Sequence, residues 1–86
     1  MKAFEITTNG KHRCVAGVGV SGVLDVIVAW AGRPEKKPDD ARLTVGGLKD
    51  GKHLRWINQE ALKVGDEIVI RVVDADTADE PISRGK

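Results

Sequence analysis

Hydrophobic and polar residues alternate along most of this chain with a period of two, which is typical of strands that bury one face. The strongest example is LKVGDEIVIRVV, residues 62–73, where a turn precedes a strand over residues 67–73. One face of that strand is wholly apolar and consists of Ile68, Ile70 and Val72. The other face carries Val69 and Val73 beside two charges. Because both faces hold valine, we predict a central strand whose Ile68 face lies in the core.

Two glycine-containing dipeptides predict tight hairpins. Asn9-Gly10 and Asp50-Gly51 can supply the positive φ angles that a type I′ turn needs at both central residues. A two-residue loop at Asp50-Gly51 brings Val45 opposite Trp56, so the large apolar groups of the second hairpin meet on one face. A short helix near residues 52–60 is the alternative, because Asp50 could cap it and apolar residues recur there at helical spacing.

The segment VLDVIVAW, residues 23–30, is almost continuously apolar. Its three valines and one isoleucine favour a strand over the alternative of a helix, and we predict that most of both its sides are buried. Asp25 is the exception in this segment. It marks a face that reaches solvent, a pair with an arginine, or a catalytic acid without a nameable partner.

Two stretches lack strand character. Residues 31–40 contain two prolines and several charges, which predicts a polar, exposed and mobile loop. Residues 76–86 follow the last clear strand, and we expect them to form a loosely ordered acidic tail. The ordered part is then a single β domain over residues 1–75.

These elements together predict an all-β fold. We expect a small antiparallel sandwich or open barrel of about five to six strands, with the possible exception of the short helix near 52–60. A chain of 86 residues makes one small domain, and a net charge of +1 predicts no strong pull on nucleic acid or membrane.

Composition also limits the compartment. Cys14 is the only cysteine, so no intramolecular disulfide can form, which excludes the disulfide-stapled secreted class. The first ten residues have no apolar core of a signal peptide, and no apolar run is long enough to cross a membrane. We therefore expect a cytoplasmic protein without a membrane partner.

Residues 17–22 match the G-x-G-x-x-G pattern of dinucleotide-binding loops. That mechanism needs a strand before the loop, a helix after it and an acid about 20 residues further on. Here the following segment is rich in β-branched residues, so we predict an open turn or bulge between strands and no bound cofactor.

The first hairpin holds the other candidate for chemistry. A two-residue loop places Glu5, His12 and Cys14 on one face, but zinc needs three or four ligands and His53 belongs to the other hairpin. Cys14 with a histidine could also form a nucleophile and base. Neither arrangement is complete, and we predict no metal, cofactor-binding or catalytic residue.

A binding role is what remains. We expect a non-catalytic domain that acts by protein–protein interaction or self-association, a homodimer included, with Val69 and Val73 as the partner-binding residues. The alternative is a module that binds nucleic acid or another anionic ligand through a basic patch of Arg33, Lys36, Lys37 and Arg42. Nucleic acid is disfavoured because single-strand binders stack bases on aromatics, and only 3% of this chain is aromatic. A small enzyme with an unrecognised site is the third possibility.

Overall fold

The computed structural model describes residues 1–32 and 40–85, which form seven β-strands and no helix. The predicted all-β class is therefore confirmed, with one strand more than the five to six expected. In chain order the strands are β1 (Lys2–Thr8), β2 (Lys11–Ala16), β3 (Val23–Ala31), β4 (Asp40–Lys49), β5 (Lys52–Leu62), β6 (Ile68–Asp74) and β7 (Ser83–Gly85).

The strands form two antiparallel sheets. One sheet has the order β2-β1-β6 and the other has the order β3-β4-β5-β7. The Cα atoms span 44 × 31 × 16 Å, and the shortest dimension accommodates two sheets packed roughly 10 Å apart. The radius of gyration is 14.0 Å, whereas a compact chain of this length has about 12 Å. Part of the sheet surface therefore extends beyond the layer that covers it.

Both predicted hairpin turns are present. Asn9 and Gly10 have φ of 51° and 77°, and Asp50 and Gly51 have φ of 53° and 74°, as a type I′ turn requires. Residues 52–62 form β5, so the alternative of a short helix near 52–60 is wrong. A strand forms here and not a helix because the Asp-Gly turn leads directly into residues whose apolar side chains face the core.

Three bulges change the register that simple two-residue loops predict. Arg13 is an extra residue in β2, so Ile6 pairs with Cys14 where a regular ladder would pair Glu5 with it. Trp56 is an extra residue in β5, so Val45 pairs with Ile57 and both Trp56 and Ile57 point into the core. A further irregularity lies opposite Thr44, whose hydroxyl accepts a hydrogen bond from the Gln59 N–H.

The core lies between β1–β2 of one sheet and β4–β5 of the other. Its fully buried large side chains are Ile6, Leu43 and Val45. Around them pack further buried residues, namely Cys14, Ala16, Val18, Leu54, Trp56 and Ile57. Among the described residues no polar side chain is buried, so the core is held by apolar contact alone.

The prediction that β6 is a central strand is wrong. β1 pairs with both β2 and β6, so β1 is central and β6 lies at the edge. Ile70 and Val72 point inward in pattern but remain 45% and 66% exposed, so the inner face of β6 is only partly covered. β3 is likewise an edge strand with mostly exposed residues, which corrects the prediction that it is buried on both sides.

The segment after β6 lies against the sheets. Residues 76–86 are predicted to be a loosely ordered tail, and the structure gives this segment defined hydrogen bonds. Just before it Ala75 pairs with Met1, and within it the Ile82 N–H donates to the Arg55 carbonyl at 2.7 Å. β7 then extends the larger sheet beside β5. The predicted mobile loop over residues 31–40 falls largely on residues 33–39, which lie outside the described residues.

Candidate functional site

The two sides of the sandwich differ. On one side, β2 and β5 are tied together by the Arg13–Glu60 ion pair and by the segment that contains Asp79. On the other side lie β3 and β6, and within the described residues no strand pairs with the outer edge of either. We call the surface bounded by these two edges, β3 (Val23–Ala31) and β6 (Ile68–Asp74), the open side.

Shared cavities indicate that β3 and β6 face one another across the sandwich. Phe4 pairs with Val72 across β1 and β6, and Phe4 lines the same cavity as Leu24 of β3 and Asp74 of β6. At the other end, Ile68 of β6 lines the same groove as Val28 and Trp30 of β3. The Leu24 end of β3 therefore lies near the C-terminal end of β6, and the two strands are antiparallel across the gap.

The inner face of the open side is apolar and becomes more exposed along β3. Leu24 and Val26 pack on the core, whereas Val28 is 56% exposed and Trp30 is 67% exposed. They open into a groove of about 650 Å³. Its apolar lining consists of Val28, Trp30, Ala41, Leu62, Val64 and Ile68. The inner face of the larger sheet is therefore left uncovered at this end of β3, where it forms the apolar floor of the groove.

The outer faces of both edge strands are also apolar, with one charge between two apolar side chains on each. β3 presents Val23 and Ile27 on either side of Asp25. β6 presents Val69 and Val73 on either side of Arg71, whose Nε lies 3.6 Å from Glu5 Oε1. Free sheet edges are usually protected by lysine, proline or short length, and neither strand has these features.

The predicted partner-binding residues thus lie on the open side. Val69 is 50% exposed on the outer face of β6, and Val73 is half-buried on the same face next to Ala3. Sequence reasoning missed Val28 and Trp30, because it interpreted a continuously apolar strand as one covered on both sides. The signal was present in the sequence, since the same pattern also suits an edge strand with an apolar partner.

The bulge at Arg13 separates the candidate metal ligands. Glu5 Oε2 and His12 Nδ1 are 3.9 Å apart at the surface, while Cys14 points into the core. Burial raises the pKa of the Cys14 thiol to about 11, and the negative charge of Asp79 adds to this, so the thiol is protonated at neutral pH. Across residues 1–32 and 40–85 no group of three or more potential metal-ligating side chains comes together.

The G-x-G-x-x-G segment connects the two sheets. Gly19 and Gly22 have φ of 81° and 143°, and the chain enters β3 directly after Gly22. A dinucleotide-binding loop needs a helix N-terminus at that point to receive the pyrophosphate, and here a strand occupies the position. A Cβ on Gly22 would also lie 2.6 Å from the Leu48 carbonyl oxygen, so the glycine allows a close backbone approach.

The basic patch is only partly visible. Arg33, Lys36 and Lys37 lie outside the described residues. Arg42 is on the outer face of β4, where its guanidinium donates to Asp40 at 2.5 Å and to the Gln59 carbonyl at 3.1 Å. Asp25, the candidate acid, is exposed on β3 opposite Gly46, so it occupies a face that reaches solvent.

Comparison with known proteins gives no further guide: a scan of protein-family models and searches of curated proteins and of solved structures find no match. The described part of the chain contains no helix of the length and apolarity that a membrane crossing requires.

Proposed function

We propose that this chain is a small non-catalytic β domain that works by binding another protein, or a second copy of itself, through the open side. One observation supports this most strongly. Of the eleven large hydrophobic side chains exposed among the described residues, seven lie on the two edge strands of the open side. They are Val23, Ile27, Val28, Trp30, Val69, Ile70 and Val72.

A patch of this kind is costly for a protein that stays alone. Contiguous exposed apolar surface typically marks an interaction site, and two free strand edges add rows of backbone N–H and C=O groups that a partner strand can satisfy. Strand addition at a sheet edge is a common mode of protein recognition, in which backbone bonds give affinity and side-chain pockets give specificity. Val69 and Val73 remain the proposed contacts on β6, with Val28 and Trp30 as their counterparts on β3.

We further propose a cytoplasmic location. A lone thiol such as Cys14, buried and protonated, suits a reducing compartment in which disulfides contribute nothing to stability.

The proposal can be tested with a charge placed in the groove. Val28→Lys should abolish binding, because it puts an ammonium group on the apolar floor next to Trp30. Ile82→Lys is the matched control, because Ile82 is equally apolar and exposed but lies beside β5 and β7, away from the open side. Both variants and the wild type are compared by light-scattering mass and by co-purification with proteins of the source cell.

The expected result is that wild type and Ile82→Lys share an oligomeric mass or a co-purifying protein that Val28→Lys loses while remaining folded by circular dichroism. A wild type that is monomeric at high concentration and retains nothing that Val28→Lys loses would contradict the proposal.

A further inference from the structure

The open side presents two rows of backbone N–H and C=O groups, one on β3 and one on β6, that pair with no strand among the described residues. A partner that satisfies both rows needs two free edges at the separation of a sandwich. A second copy of this chain has this arrangement, because its own open side consists of the same two edges. Homo-oligomers with a two-fold axis and a self-complementary interface are the commonest class of assembly.

The direction of the strands determines how two copies can meet. Because β3 and β6 are antiparallel across the gap, a two-fold axis parallel to the strands places β6 of one copy beside β3 of the other in antiparallel orientation. Such an axis leaves the level of every residue along the strands unchanged. The shared cavities place Leu24 near Val72 or Asp74 and Ile68 near Val28 or Trp30, so two registers bring inward-facing residues together between copies.

The charges distinguish these two registers. With Val72 opposite Leu24, the next residues to meet are Arg71 and Asp25. Each is the charge between two apolar residues on the outer face of its strand, and the signs are opposite. With Asp74 opposite Leu24, Arg71 would instead meet Ile27. In the first register, the other pairs in which both residues belong to β3 and β6 are apolar. On the inner face Ile70 meets Val26, and on the outer face Val69 meets Ile27.

A shift of one residue would remove this match. It would place Arg71 against an apolar residue and turn inward-facing side chains toward outward-facing ones, because side chains alternate along a strand. The faces and the charges therefore agree in one of the registers that the shared cavities of β3 and β6 allow.

Resting on the proposed function of the open side, we propose that its partner is a second copy of this chain. The two copies form a two-fold dimer in which β6 of each pairs with β3 of the other and Arg71 meets Asp25 twice. The sandwich then consists of two continuous seven-stranded sheets, each in the order β2-β1-β6-β3-β4-β5-β7 with the first three strands from one copy. Val28 and Trp30 are covered at one end of the paired strands, on the inner face of the interface.

Disulfide trapping between single-cysteine variants tests the register directly. In a Cys14→Ala background, Ile27→Cys is mixed with Val69→Cys, mildly oxidised, and the linked peptides are identified by mass spectrometry. A disulfide between two different variants can only join two chains. The control mixture pairs Val69→Cys with Val23→Cys, which lies on the same exposed face but four residues, or about 13 Å, out of register.

The expected result is a mixed disulfide in the Ile27 and Val69 mixture at least tenfold more abundant than in the control, together with a solution mass twice 9.3 kDa for the wild type. Disulfides formed mainly between two Ile27→Cys chains and between two Val69→Cys chains would instead indicate a two-fold axis perpendicular to the sheets. That outcome overturns this dimer but leaves the open side as a binding surface.

A charge exchange gives a second, independent test. Asp25→Arg and Arg71→Asp should each raise the dissociation constant of the dimer by roughly tenfold, because each places two pairs of like charges opposite one another. The double variant should recover the wild-type value. A double variant as weak as the single ones overturns the register. A monomeric wild type overturns the second copy as partner, and the loss of a different protein by Val28→Lys would then still uphold the proposed function.

Discussion

The N–H of Val15 donates to the carboxylate of Asp79, and the N–H of Asp79 donates in return to the carbonyl oxygen of Val15, both at 2.8 Å. The carbonyl oxygen of Asp79 also accepts a hydrogen bond from the indole N–H of Trp56 at 2.7 Å. One residue of the acidic segment therefore joins β2 to β5 and seals the side of the sandwich opposite the open side.

Asp79→Ala should destabilise the fold by about 1 kcal/mol, because the Val15 amide loses its acceptor while the backbone bonds remain. Urea denaturation measures the free energy of unfolding, with Asp76→Ala as the control at an exposed acid three residues earlier. Hydrogen exchange at the Val15 amide should also accelerate in Asp79→Ala only. Equal stability of the two variants would show that the Asp79 side chain does not help to hold β2 and β5 together.

Gly51→Val should be destabilising by about 1–2 kcal/mol, since a β-branched residue is strained at a φ of 74°. The matched control is Gly85→Val in β7, where a Cβ would meet no atom closer than 4.0 Å. Thermal melts of the two variants should therefore separate by several degrees, with Gly85→Val near the wild type. Equal melting temperatures would show that a valine at the positive φ of Gly51 is not strained.

The ion pair between Arg13 and Glu60 should make stability depend on pH. The hydrogen bond from Arg13, and then its charge, lower the pKa of Glu60 below the 4.5 of an unpaired glutamate. The folded state therefore holds the Glu60 proton less tightly than the unfolded state. The stabilisation is present above pH 4.5 and is lost as the pH falls through the lowered pKa of the folded state.

Glu60→Gln measures that contribution. Because 38% of the Glu60 side chain is exposed, solvent screening limits the pair to at most about 1 kcal/mol. At neutral pH the variant should melt below the wild type, and the two melting curves should converge as the pH falls from 4.5 through the lowered pKa of Glu60. Glu67→Gln, at an exposed turn, serves as the control. If Glu60→Gln melts below the wild type by the same amount at all pH values, then packing rather than charge accounts for the difference.

The thiol of Cys14 should react slowly with iodoacetamide at neutral pH, because burial and the neighbouring Asp79 raise its pKa to about 11 and only the thiolate attacks. Denaturant should increase the alkylation rate at least a hundredfold by exposing the side chain. Rapid alkylation of the native protein would mean that the bulge at Arg13 does not direct Cys14 into the core.

The hairpins could be predicted from the sequence because their causes are local. Asn9-Gly10 and Asp50-Gly51 fix the turns, and alternation fixes the strands around them. The bulges at Arg13 and Trp56 were not predictable in this way. An inserted residue leaves the local alternation nearly intact, and only the packing of Cys14 or Ile57 against the opposite sheet determines where it falls.

The edge positions of β3 and β6 also could not be predicted from the local sequence pattern. A strand with valine on both faces satisfies the pattern of a central strand and that of an edge strand whose partner lies in another molecule. The order of strands depends on which long-range pair forms, here β1 with β6. The open side therefore emerges only when both sheets are assembled, although the alternation along residues 67–73 already places Val69 and Val73 on one face of β6.

The most direct test of the binding role of the open side is residue-resolved hydrogen exchange of the wild-type protein at concentrations below and above the onset of association. Amides of β3 and β6 should become protected at high concentration, whereas those of β7, which is also an edge strand, should keep the same rates. Exchange in β3 and β6 that does not depend on concentration, in a protein that remains at 9.3 kDa, would contradict a binding role of the open side.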